Sequence, residues 1–266
     1  DPGSAVWRDE QLARALVESG DVEAAEALYK RMIRENAGDR VAESSARAGL
    51  AELLQANDEL IAARSLYEWV AENAPDESQR SWASLHAAML LVDEGRLDEA
   101  EGALEPLLDH EDPEVALQAA VGLSAIELER GRPRRALEVL EEVDPEPIGG
   151  AWVATWTQQR TSCLLELGRH EEAEQGWLAV LGRWEDNDDV ASQARLALGD
   201  LALAQDRLPT AIEWFESVLS SPDPHYQARA LLGLAQSGDP DACSRLFLEH
   251  PDQREILRVA TVSCSP

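Results

Sequence analysis

The side chains that could do chemistry are few and scattered. Five histidines, His86, His110, His170, His225 and His250, stand singly, with no pair at helical metal-ligand spacing and none beside a cysteine in a zinc pattern. The acidic stretch Glu185-Asp186-Asn187-Asp188-Asp189 comes nearest to a calcium loop. It lacks the glycine and the closing bidentate glutamate that such a loop needs, so it reads as a solvated connection. No glycine-rich phosphate cradle, Gly-x-Ser-x-Gly elbow or Cys/His nucleophile spacing occurs. Carboxylate pairs abound, but with 52 acidic residues in 266 their pairing says almost nothing about catalysis. The inventory points away from an enzyme and predicts neither metal nor cofactor.

Charge narrows the partners. Twenty-three basic against 52 acidic residues give a formal charge of -29, and Lys30 is the only lysine, so a cationic surface would have to be built from arginine. Repulsion from phosphates excludes nucleic acid, and an anionic membrane surface likewise. The longest apolar run, Val115 to Leu128, is broken by Gln118 and Glu127 and falls short of the roughly 20 residues a bilayer-spanning helix needs, so no membrane insertion is expected. The acidity reads either as a field for a basic partner or as a whole-surface adaptation, including one to high salt. Its spread through nearly every segment favours the second. The arginines Arg130, Arg132, Arg134 and Arg135 are a local exception, expected to pair with Glu127, Glu129 and Glu138 rather than to grip an acidic partner.

Three cysteines, Cys163, Cys243 and Cys264, are too few for a disulfide framework. Cys243 and Cys264 lie 21 residues apart around the last helical hairpin. Two unrelated thiols is the plainer reading, and a bridge stapling the terminus is the alternative.

The elements that position these residues announce themselves by repetition. A turn residue, Gly or Asp, is followed five positions later by alanine in Gly20/Ala25, Asp58/Ala63, Gly95/Ala100, Gly131/Ala136, Gly168/Ala173 and Asp206/Ala211, with a weaker seventh copy from Gly238 to Cys243. Successive turns are 38, 37, 36, 37, 38 and 32 residues apart, a period that marks an array. Glycine at the turn suits a left-handed helix end, and the alanine lets two helices cross closely. Four residues after the alanine comes a large apolar side chain, Tyr29, Tyr67, Leu104, Leu140, Trp177, Phe215 and Phe247, on the same buried stripe.

This pattern resembles the tetratricopeptide repeat superfamily over nearly the whole chain. The Gly/Asp turn, the alanine, the large residue after it and a small residue seven before the turn (Ala13, Ala51, Ala88, Ser124, Gly199) carry the resemblance. The aromatic residue expected early in each first helix is mostly missing, and the spacings exceed the usual 34. The resemblance implies an all-α, right-handed superhelical solenoid over 1-266, with about seven helix-turn-helix pairs at 5-36, 41-73, 79-109, 114-143, 151-184, 189-220 and 225-249. A helix near 252-262 caps the open end, and the Pro-Gly stretch 144-150 is a candidate hinge.

Carried through this register, the first helices present an apolar concave face rimmed by carboxylates. Its candidate partner-binding residues are Trp7, Arg14, Trp82, Leu85, Met89, Val92, Val121, Leu128, Leu165, Leu196 and Leu203, with Glu10, Glu52 and Asp200 among the acidic rim. The implied function is a non-catalytic scaffold holding a protein or peptide, with apolar anchors and basic flanks. The alternative is an assembly subunit joined through its ends or convex face. The oligomeric state stays open. The absence of an initiator Met before Asp1 and the loosened repeats, similar to those of bacterial envelope members, lean the location to the periplasm or envelope, with cytoplasm as the alternative.

Overall fold

The computed structural model describes residues 2-264, so Asp1 and the last two positions lie outside the described residues. Every regular element among them is helical. The helices are α1 Pro2–Glu18, α2 Val22–Glu35, α3 Arg40–Ala56, α4 Leu60–Asn73, α5 Glu77–Asp93, α6 Leu97–Leu104, α7 Pro113–Glu129, α8 Pro133–Glu141, α9 Gly150–Glu166, α10 His170–Arg183, α11 Asp188–Ala204, α12 Leu208–Val218, α13 Pro224–Gln236, α14 Ala242–Glu249 and α15 Arg254–Ser263. A 3-10 turn, Glu105–Leu107, continues α6. No described helix is long and apolar enough to cross a membrane.

The turn inside each pair is one device used seven times. Gly20, Gly95, Gly131, Gly168 and Gly238 have φ between 70° and 95°, and Asp58 and Asp206 are held at 65° and 57°. At each turn the next residue's amide reaches back to a carbonyl five residues earlier, as in Asp21 to Leu16, Glu59 to Leu54, Arg96 to Leu91 and Arg207 to Ala202. These bonds satisfy carbonyls that the helix end would otherwise orphan. Between pairs the chain relies on side chains instead. Asp39, Asp76, Asn187 and Asp223 accept from the first amides of α3, α5, α11 and α13.

The alanines after the turns are at most 1% exposed, and Tyr67, Leu104, Leu140, Trp177 and Phe215 are fully buried. The expectation fails at Phe247, which is 41% exposed. In the seventh pair the buried alanine is Ala242, one residue earlier than in the other copies, and Leu246 rather than Phe247 takes the stripe. One residue fewer separates this turn from its alanine, and that moves the phase.

The chain divides into two compact units, residues 1–126 and 127–266, with the division inside α7 and not in the 144-150 loop. In the first unit consecutive helices from α1 to α6 pack in order, and the first helices α1 and α3 also touch. The second unit repeats this from α8 to α14, with α9, α11 and α13 touching in series. No pair of neighbouring second helices packs to that extent, so first helices form the tighter layer in each unit.

Ion pairs link a second helix to the turn of the next pair. Arg64 of α4 donates from Nε to Glu94 at 2.9 Å, and Arg207 binds Glu174 of α10 through two bonds of 3.1 and 3.0 Å. The arginine cluster behaves as expected in two respects: Arg130 and Arg132 both donate to Glu127, at 3.2 and 2.7 Å, and Arg135 reaches Glu138. Cys243 and Cys264 are bonded, tying α14 to the end of α15, while Cys163 is buried.

Candidate functional site

The first-helix layer of the first unit carries a polar cleft of 130 Å³. Glu10 and Arg14 enter from α1, Ser45, Ala48, Gly49 and Glu52 from α3, and Gln79 from α5, with Tyr29 of α2 at the floor. Gly49 is required there: a Cβ at this position would stand 2.6 Å from the Tyr29 ring. Desolvation in the cleft pushes the Glu52 carboxyl above its ordinary value, opposed by the Arg14 charge. Burial also raises the Tyr29 phenol, Glu52 and Glu10 reinforcing the shift and Arg14 opposing it. Two carboxylates, Glu10 and Glu52, line the cleft with the one guanidinium of Arg14.

Beside the cleft, Trp82 and His86 of α5 lie against Tyr67 of α4. The Trp82 and Tyr67 rings meet edge to face with centroids 5.3 Å apart, and His86 stacks on Tyr67 at 5.1 Å. The Tyr67 hydroxyl donates to Gln55 at 2.9 Å, and burial lowers the His86 pKa.

Of the residues the register placed on the binding face, Trp7 is 60% exposed and Arg14 lies open. Trp82, Met89, Val92 and Val121 are half-buried in the first unit, as are Leu128, Leu165 and Leu203 in the second. Leu85 and Leu196 are corrections. They are 1% and 2% exposed, so they are core side chains closed to any partner. The helices pack closely enough to bury the flank of the stripe nearest the second-helix layer, and the apolar trough contracts. In the second unit, the first helices instead set Asp200 of α11 against Arg229 of α13 at 3.4 Å. The register named Glu10, Arg14 and Glu52 of the cleft but missed Tyr29, Ser45, Gly49 and Gln79. Gly49, a helix-interior glycine, was the signal that could have found the Tyr29 floor.

The remaining histidines, like His86, are accounted for by local contacts where bonds are formed: His110 bonds Ser81 and accepts from the Asp112 amide, and His225 bonds Gln253. No group of three or more potential metal ligands comes together among the described residues.

Residues 62–197 match the tetratricopeptide repeat-like domain family. The chain belongs to that family. A pentatricopeptide-type (PPR) repeat also matches at 11–36 and a further tetratricopeptide repeat at 192–217. No curated protein matches the chain. Among solved structures, a tetratricopeptide repeat protein from Parabacteroides merdae is 13% identical, with a TM-score of 0.66 over 98% of this chain and 100% of that one. A Rap protein complexed with competence and sporulation factor is 15% identical, with a TM-score of 0.62 over 97% and 89%. A Rap conjugation gene regulator in complex with a Phr peptide is 13% identical, with a TM-score of 0.58 over 97% and 73%. At these identities the likeness is one of fold: paired helices stacked as in other tetratricopeptide repeat chains.

Proposed function

We propose that the protein is a non-catalytic scaffold that holds a polypeptide against the first-helix face of its first unit. The observation that carries this reading is the cleft lined by Glu10, Glu52 and Arg14, with the half-buried Trp82 on the same helix as the cleft's Gln79. A peptide bearing an arginine or lysine beside an apolar or aromatic residue fits it: the cation relieves the two carboxylates, and the apolar residue covers Trp82 and Met89. The charge of -29 steers such a partner and raises its rate of encounter. Trp7 and Arg14 extend the same face along α1, and Val92 continues it on α5. The peptide-bound Rap neighbour supports the reading by showing what a related stack of helices accommodates.

The test is selection of random peptides displayed against the immobilised protein, repeated on Glu10→Gln/Glu52→Gln. Because Glu52 is held above its ordinary pKa, its charge opposes folding at neutral pH, and the glutamine variant keeps the fold. Basic residues enriched by the wild type should vanish from the pool selected by the variant, and Trp82→Ala should weaken the surviving binders. Identical pools from both proteins would move the site elsewhere.

A further inference from the structure

The second-helix side carries two grooves that the first-helix reading does not use, and they are repeats of one another. In the first unit a groove of 380 Å³ opens between α4 and α6, floored by Ala87 and Leu91 of α5 and walled by Ala71, Gly102 and Ala103. In the second unit a groove of 390 Å³ opens beside α10, floored by Val153 and Trp156 of α9 and walled by Gly176, Ala179 and Val180. The turns Gly95 and Gly168 are 73 residues apart, and the same shift carries Ala71 to Asp144, Ser84 to Thr157, Ala103 to Gly176 and Leu107 to Val180, all groove residues. Four lining positions thus correspond between the two grooves.

Each groove has a local cause. α8 stops after nine residues, five short of the fourteen of α10, and the chain leaves through Pro145 and Pro147. About one and a half turns of helix, roughly 7 Å at 1.5 Å per residue, are missing from the row of second helices. In the first unit α6 is only eight residues long and presents Gly102 and Ala103, which have no bulk to fill the gap. In both grooves the acidic residues stand on the wall of the preceding second-helix segment: Glu68 and Glu72 in one, Asp144 and Glu146 in the other. The opposite wall is apolar, ending on Leu107 in one groove and Trp184 in the other, apart from Arg183, which pairs with Glu146.

The geometry points to these grooves as docking sites for a short amphipathic helix of a partner protein, with an apolar ridge seated on the apolar floor against the glycine and alanine wall and lysine or arginine along one flank only. A helix is the occupant because the slot lies in a row of helices and interrupts it. A one-sided basic flank matches the one-sided acidic wall. Two grooves give two sites of the same kind per chain.

The fold supplies a clean way to close them. A Cβ at Gly102 meets nothing within 4 Å, and one at Gly176 meets only ordinary contacts, Thr157 at 3.6 Å and Arg160 at 3.7 Å. Gly102→Leu and Gly176→Leu therefore put apolar bulk into the grooves from positions that accept a Cβ, with no change of charge, and each replaces a helix-interior glycine with a better helix former. The probe is a fluorescein-labelled 14-residue helical peptide with a leucine ridge and lysines on one flank, titrated by anisotropy beside its order-scrambled version. With the first-helix cleft disabled by Glu10→Gln/Glu52→Gln, the protein should bind two peptides, each single glycine variant in that background one, and the double glycine variant should lose at least tenfold in affinity, with helicity by circular dichroism unchanged. Equal binding by the double variant, equal binding of the scrambled peptide, or loss in the Glu10/Glu52 variant would each overturn the assignment. The last would place the peptide on the first-helix face, independently of the grooves.

Discussion

Phe215 offers a test of the packing in which one chemical change has opposite effects at two places. Its ring is fully buried between two glycines: a Cβ on Gly199 of α11 would stand 2.5 Å from Cε1, and one on Gly233 of α13 would stand 2.5 Å from Cζ. Carbon atoms in optimal contact are about 3.5–4.0 Å apart, so alanine at either site demands a movement of about 1 Å from a ring held on both sides. Overpacking of this kind costs about 1–3 kcal/mol, against roughly 1 kcal/mol that alanine contributes over glycine through helix propensity. Gly233→Ala should thus destabilise by up to about 2 kcal/mol, up to roughly 8 °C in melting temperature. Gly102→Ala, where nothing stands within 4 Å, should stabilise by up to about 1 kcal/mol. Urea denaturation followed by circular dichroism measures both. Adding Phe215→Leu to Gly233→Ala should cost less than the sum of the two single changes, because the clash is shared. A Gly233→Ala protein more stable than the wild type, or a Gly102→Ala protein as damaged as Gly233→Ala, would refute the placement of Phe215.

Two further outcomes follow from the turns and from the aromatic cluster. Asp58 and Asp206 occupy left-handed backbone that glycine adopts without strain, so Asp58→Gly and Asp206→Gly should each raise stability by roughly 1 kcal/mol, and a lowered melting temperature in both would contradict the shared turn geometry. Burial against Tyr67 and Trp82 lowers the pKa of His86, so the fold favours its neutral form. Its contribution is complete above the unfolded value of about 6.5 and is lost as pH falls through the lowered folded value. Between pH 7 and pH 5.5 the wild type should lose stability that His86→Gln retains, and parallel melting curves for the two proteins would exclude this role.

The helical pairs were legible because a repeat states the same local physics many times. Gly20, Asp58 and Gly95 look alike in sequence since each must end one helix and start the next within three residues, and the alanine five later must be small for the helices to cross. Helix limits followed within a few residues. The face each side chain finally meets was less legible. Leu85 and Leu196 sit at register positions shared with exposed residues, and only the closeness of neighbouring helices buries them. Phe247 failed for a different reason: one residue lost between turn and alanine rotates the stripe by about 100° on a helix of 3.6 residues per turn, and places Leu246 inward. Tyr29 beneath Gly49 depends on contact between consecutive pairs, which no pattern within a single pair encodes.

What repeats and what varies in this chain do different work. The turn, the alanine and the buried large residue recur because every pair needs them to close its interior against the next, and changing any one is felt as lost stability. The second helices are not held to a common length: fourteen residues in α2, α4 and α10, but eight in α6 and nine in α8. A shorter second helix still buries its alanine and its large residue, Ala100 and Leu104 in α6 or Ala136 and Leu140 in α8, because both fall within its first eight positions. Truncation beyond that point leaves the core intact and opens the surface. The loss therefore falls where a partner can make it good, and the differences between repeats, more than their likeness, mark where recognition can be built.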